Sequence, residues 1–284
     1  MTIPEYISAM LCAVGLMMIT LRFCMADHRN TSRGGKCPYW CEYGASKTIG
    51  TREVQEDEYG ILETQEGIMA VLADGMGKHY GGKIASRAAV EVFKDIFDDE
   101  NAFYNPQYYL RKAFQGANRE ILSLIEDGHG QACVAAVLIK DNRLYYASAG
   151  NVKIAVYRNK ELVPVTEGHT ISVLAKKQYT EGKLSRQDAA ALMEHHRLYN
   201  YVGQDGFHDI EFFDTPIALN GGEYILLMSD GMYEEVRWKE MEDCLEQEGT
   251  CQQKAFALVE LVNQSDSEDK DNASVAVLKI KGKK

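Results

Sequence analysis

Two aspartates followed by glycine, Asp74-Gly75 and Asp230-Gly231, each close an apolar run, Met69–Ala73 and Tyr224–Met228-Ser229, while Asp271-Asn272 precedes a third, Ala273–Leu278. A carboxylate at a strand terminus is held by a rigid sheet yet faces a solvent-filled rim, the placement that a preformed ion site needs. Taken singly, Asp-Gly and Asp-Asn read as turns. Their combination says more. Arg52 and Glu56-Asp57 are expected on an early strand, and the glycine-dense loop Asp74-Gly-Met-Gly-Lys-His-Tyr-Gly-Gly82 leads into a helix.

Those acids need a scaffold, and the apolar pattern supplies one. Ile68–Ala73 reads as a buried strand. Two amphipathic helices follow, one placing Ile84, Ala85, Ala88, Ala89, Val92, Phe93 and Ile96 on one face, the other Leu110, Ala113, Phe114, Ala117 and Ile121. A meander of strands is expected at 133–139, 143–149, 153–157 and 161–165, with turns at Asp141-Asn142 and Arg158-Asn159-Lys160. Polar helical sequence occupies 171–196. Strands near 209–213, 223–228 and 273–280 and helices over 239–247 and 252–264 complete the pattern. Paired helices between groups of strands imply helices outside a two-sheet sandwich, an α+β fold.

The composition excludes several classes. The 284 residues, with 45% hydrophobic and 26% charged residues, describe an ordinary globular chain. Its formal net charge of −11 disfavours a nucleic-acid partner. Seven cysteines at irregular spacings are not a disulfide framework, and Cys37 and Cys41 are one residue too far apart for a C-x-x-C pair. The charge is uneven: residues 1–52 carry +3 and the remainder −14. Ile3–Phe23 approaches the ~20 residues of a membrane-spanning helix. Arg22, Arg29, Arg33 and Lys36 lie on its C-terminal side, so the positive-inside rule puts the bulk of the chain in the cytoplasm. The expected organisation is a single-pass membrane anchor over 1–25, a linker over 26–43 and one domain over 44–284.

Arg52–Asp57 (R-E-V-Q-E-D), Ala73–Ser86 (A-D-G-M-G-K-H-Y-G-G-K-I-A-S), Thr166–His169 (T-E-G-H), Met228–Met232 (M-S-D-G-M) and Asp271–Val275 (D-N-A-S-V) occur in an order that resembles the metal-dependent serine/threonine protein phosphatases (PPM, type 2C), most closely their bacterial branch. The resemblance covers about residues 44–281. It implies a four-layer α-β-β-α sandwich of two antiparallel sheets flanked by helices. It also implies a centre of two Mn²⁺ or Mg²⁺ ions held by Glu56, Asp74, Asp230 and Asp271 with the Gly75 carbonyl, Asp74 bridging, and Arg52 as the phosphate-binding residue. An all-oxygen donor set suits such hard ions. A water between two ions roughly 3.5–4 Å apart would attack phosphorus directly. Asp74 and Arg52 are thus the expected catalytic residues.

The chain departs from the family pattern at three places. Gly150-Asn151 stands where Gly-Asp is common, so a third, weaker ion, which Asn151 and Asp57 would adjoin, is expected to be lost or weakened. Met76 replaces a histidine that many members carry, leaving the general acid unassigned, with His79 nearby read as a loop residue. Gly130-Gln131-Ala132 replaces Gly-Thr-Thr. Residues 168–206 match a variable flap, and its His195-His196 pair reads as surface. The resemblance thus implies a hydrolase of phosphoserine and phosphothreonine in proteins, opposing a Ser/Thr kinase and acting on that kinase's substrates. The competing expectation, motivated by Asn151, is a pseudophosphatase that binds phosphoproteins without turnover.

Overall fold

The computed structural model describes residues 41–97, 99–125, 129–194 and 197–281. The elements run β1 (Cys41–Thr48), β2 (Glu58–Glu63), β3 (Ile68–Gly77), α1 (Gly81–Asp95), α2 (Asp99–Tyr104), α3 (Pro106–Leu124), β4 (Gly130–Lys140), β5 (Arg143–Ala149), β6 (Lys153–Arg158) and β7 (Glu161–Pro164). They continue with α4 (Ile171–Thr180), α5 (Arg186–Met193), β8 (Glu211–Phe212), β9 (Ile217–Ala218), β10 (Tyr224–Met228), α6 (Asp230–Glu235), α7 (Trp238–Glu246), α8 (Cys251–Asn263) and β11 (Ala273–Ile280). The first sheet has the order β1-β11-β10-β6-β7, the second β2-β3-β4-β5-β8, with β9 also on β5, and every pairing is antiparallel.

The central strands are apolar on both faces because both faces are covered. In β3, Met69, Val71 and Ala73 pack toward α1 and α3, while Ile68, Ala70 and Leu72 pack toward the other sheet. In β11, Val275 and Val277 face α7 and α8, whereas Ala276 and Leu278 join the layer between the sheets. Three apolar layers thus separate helix, sheet, sheet and helix, the four-layer sandwich expected from the sequence. Phe93 of α1 meets Phe114 of α3 edge to face at 5.1 Å, a geometry that contributes about 0.5–1.5 kcal/mol beyond area burial.

Local chemistry sets the helix ends. The Asn105 side chain accepts from the Tyr108 N–H and Pro106 opens α3, while Thr250 and Gln253 form a reciprocal cap on α8. The sequence reading begins the domain at 44, whereas β1 starts at Cys41, paired to Ile280. The expected anchor and nearly all of the linker lie outside the described residues, as do Cys37 and His195-His196. Among the described residues no helix is long and apolar enough to cross a membrane. Cys41, Cys133, Cys244 and Cys251 are free thiols.

Candidate metal and phosphate site

A cleft of about 650 Å³ opens where strand ends of both sheets meet. Glu56, Asp74, Gly75, Asp230 and Asp271 line it together with Arg52 and Asn151. Asp74 comes from the far end of β3, Asp230 from the first residue of α6 directly after β10, and Asp271 from just before β11. The sheets therefore fix three of the four acids.

Arg52, Glu56 and Asp57 stand on no strand; they belong to the loop 49–57 between β1 and β2. Hydrogen bonds turn this segment out of the ladder: Arg52 N donates to the Ile49 carbonyl, and Gln55 Nε2 to that of Thr48 at 2.7 Å. Glu56 N then donates to Asn272 Oδ1 at 2.6 Å, which ties the loop to β11's leading end. Glycine allows the acids to crowd. A Cβ on Gly75 would lie 2.1 Å from the Gly82 carbonyl oxygen and 2.6 Å from that of Glu56; one on Gly231 would lie 2.2 Å from the Asn272 carbonyl oxygen. A side chain at either position would push the ligand-bearing segments apart.

The electrostatics show a site with excess negative charge. The Asp74 carboxyl is held well above the usual range, first by burial and then by Asp230, with which it is in hydrogen-bonding reach, and by Asp57. Burial pushes Asp57, 2% exposed, up to about 7, although the nearby Ser274 and Ser229 hydroxyls pull it down. Glu56 is also raised, chiefly by burial, against hydrogen bonds from the Lys83 and Gly82 N–H groups at the start of α1. Like carboxylates this close cannot all ionise unless a cation joins them.

The residues present fit such a cation. All donors are hard oxygens, and Asp57 Oδ1 and Asn151 Oδ1 are buried acceptors with no hydrogen-bond partner among the described residues. The fit requires movement at one place. Asp271 is turned onto Arg52, which bonds both its oxygens at 3.1 Å and also Asp269 at 3.1 Å. Among the described residues no three His, Cys, Asp or Glu side chains yet converge as a ready ligand group.

Comparison with known proteins decides the family. Residues 45–264 match the sequence profile described as protein phosphatase 2C. The chain belongs to the protein phosphatase 2C family. Its serine/threonine phosphatase relative stp from Listeria welshimeri is 28% identical over 227 residues, covering 77% of this chain and 88% of the relative. The structure of the S. agalactiae serine/threonine phosphatase superposes with a TM-score of 0.74 at 24% identity, covering 85% of this chain and 100% of that one. The catalytic domain of the phosphatase PstP, solved in complex with 2 manganese ions, has a TM-score of 0.66 at 22% identity, over 85% and 98% of the two chains. Those likenesses show the 2C fold, and the family carries divalent-metal dependence.

Every site residue expected from the 2C resemblance lines this cleft except Asp57, which is buried behind it. Asp57 Oδ2 accepts from Ser229 Oγ at 2.8 Å, and Ser229 Oγ accepts in turn from Ser274 N at 2.9 Å. Asn151 Nδ2 donates to Asp230 Oδ2 at 2.7 Å, so a neutral amide takes the flank of that acid. Sequence reasoning gave no role to Ser229, Asn272 or Ser274; the available signal was small polar residues inside otherwise apolar runs. It also missed Leu198, the flap residue lining the cleft, and Tyr80 at its rim. Tyr80 and His79 both hold positive φ, 69° and 51°, an unfavourable backbone for non-glycine residues, and Tyr80 is 62% exposed.

The flap consists of α4 and α5, with only Ala175 and Ala189 buried. Its root is better fastened. His169 N donates to the Gly150 carbonyl, and its Nδ1 accepts from Gly150 N at 3.0 Å. Glu211 accepts from the Glu167 and Gly168 N–H groups and from Ser148 Oγ.

Proposed function

We propose that the chain hydrolyses phosphoserine and phosphothreonine in proteins at this cleft, using two Mn²⁺ or Mg²⁺ ions. The carrying observation is the crowding of Asp74, Asp230 and Asp57 beside Arg52 in a protein phosphatase 2C scaffold. Glu56, Asp74, Asp230 and Asp271 and the Gly75 carbonyl are the proposed ligands. When bound, the ions supply a water of lowered pKa and neutralise charge on the phosphoryl group.

The chain's own residues position and orient. The planar Arg52 fork, which already grips one carboxylate, offers the same two parallel N–H bonds to phosphoryl oxygens. Its exchange from Asp271 to substrate would release that acid for ligation. Ser229 and Asn272 hold Asp57 and the Glu56 backbone, and Asn151 orients Asp230. With Met76 after the first Asp-Gly, no histidine there protonates the leaving alkoxide, and solvent is the proposed donor.

The apolar, basic-flanked segment over 1–25 supports a membrane tether with the catalytic domain in the cytoplasm, where it would counter a Ser/Thr kinase. The test is phosphate release from a phosphothreonine peptide by the full chain. Turnover with Mn²⁺ or Mg²⁺ that chelation abolishes is expected; metal-independent turnover, or none with any divalent ion, would overturn the reading.

A further inference from the structure

A second cavity, of about 750 Å³, lies between the β6 and β7 strands and flap helix α4. Lys153 lines it from β6, Lys176 and Lys177 from α4, and the Thr166 and Thr180 segments complete the polar wall. This is a local excess of cations on a segment, 53–284, that carries −14. Three lysines face two acids in that wall, Glu167 and Glu181, and Glu181 is bonded to Lys183 at 2.7 Å as well as lying in the field of Lys177.

Lys153 is the distinctive member. It is half-buried, and burial pulls its pKa below the ordinary lysine value against the opposing effect of the Glu234 and Glu211 carboxylates. Among the described residues no ion pair involves it, and its ammonium stands 4.5 Å from the centroid of the Tyr233 ring. With no carboxylate among the described residues within ion-pair distance, a partly desolvated ammonium resting on an aromatic face keeps its charge open to a closer anion. The Tyr233 hydroxyl donates to the Asn151 carbonyl at 2.9 Å, and the Asn151 side chain donates to Asp230 at 2.7 Å. The cavity thus sits beside the catalytic cleft, Lys153 following Asn151 by two residues. The backbones of those two residues are therefore no more than about 7 Å apart, the span of two residues of extended peptide.

We propose that this cavity is a second anion site, in which Lys153 and Lys177 hold an acidic group of the substrate polypeptide two or three residues from the phosphoresidue being hydrolysed. The group is a carboxylate or a second phosphate. The proposal rests on the phosphatase reading and extends it to substrate class, and it accounts for a flap helix that buries only Ala175 and leaves the lysines open.

The test compares phosphothreonine peptides that differ only at the positions two and three residues away: Asn/Gln, Asp/Glu, or a second phosphothreonine. With the full chain and Mn²⁺, kcat/KM should favour an acidic peptide by about fivefold over the neutral one. The Asp/Glu and doubly phosphorylated arms tell which source is preferred. In Lys153→Gln/Lys177→Gln the preference should fall to about onefold, with turnover of p-nitrophenyl phosphate within about twofold of wild type and the melting temperature retained. Lys153→Arg should keep the preference. Absence of any preference in wild type, its survival in the double variant, or a parallel loss of aryl-phosphate turnover would each overturn the site. Fluorescence anisotropy of the same peptides on chelator-treated protein repeats the comparison without turnover. A chain that discriminates in binding but hydrolyses nothing would sink the phosphatase reading and keep the anion site; equal binding of all three peptides would overturn the site alone.

Discussion

The catalytic cleft and the flap beside it are built in opposite ways. Three of the cleft's four proposed ligand acids stand at the ends of strands that are buried on both faces, Glu56 stands on loop 49–57, and Ser229, Asn272 and Asn151 cross-tie the set. The flap's two helices bury one alanine each and hold on at their root through His169 and Glu211. Like charges can be forced together only by a rigid frame, so the chemistry sits on the sheets. Selection among substrates tolerates a loose element, and the proposed anion cavity accordingly falls on the flap.

The contrast predicts unequal damage. Asp74→Asn or Asp230→Asn should lower phosphopeptide turnover by about 10³-fold or more, because a charge aimed at the reacting centre is lost. The melting temperature should change little or rise without metal, since each variant removes repulsion. Retained turnover in either variant would break the assignment of chemistry to the sheets. Arg52→Lys keeps the charge and loses the fork; kcat/KM should fall about tenfold or more, a loss that added metal does not restore. Equal kinetics for Arg and Lys would remove Arg52 from phosphate binding.

The flap root should respond to pH. Burial holds the His169 pKa below its ordinary 6.5, against Asp209 and Glu211, and its Nδ1 accepts from Gly150 N only while unprotonated. Between the two values the unfolded chain binds the proton first. This stabilisation is therefore present above pH 6.5 and is lost as pH falls through the lower folded value. The protection of the Gly150 and Tyr199 amides, taken relative to the intrinsic exchange rate at each pH, should fall on acidification by about 1 kcal/mol, and His169→Gln should flatten the response. Unchanged protection factors from pH 7 to 5 would show that the root is as rigid as the sheets. The smallest effect is expected at the cleft rim, where Tyr80→Gly relieves a left-handed backbone. It should raise stability by up to about 1 kcal/mol in thermal melts, and a destabilised variant would mean that the ring packs usefully.

Most of the scaffold was legible because β3, β4, β10 and β11 are apolar over most of their length, a pattern that short buried strands produce. Asp74, Asp230 and Asp271 were legible because each borders such a run, whereas Glu56 was expected only from the family resemblance. What escaped was set by tertiary contact. Loop 49–57 owes its shape to Asn272 and to Gln55 bonding across it, so Arg52 and Glu56 were expected on a strand that does not exist. Short α2 and α6 and two-residue β8 and β9 carry too few residues for any period to show. The anion cavity was invisible because Lys153, Lys176 and Lys177 come together only when α4 folds over β6.

The central claim is that the crowded acids are a divalent-cation centre for phosphate-ester hydrolysis. One titration tests it: Mn²⁺ added to chelator-treated chain while melting temperature and phosphate release from a phosphothreonine peptide are read on the same samples. The account predicts that both rise together with metal, and that Asp230→Asn loses both responses. Full turnover without added metal, or stabilisation by Mn²⁺ that persists unchanged in Asp230→Asn, would contradict it.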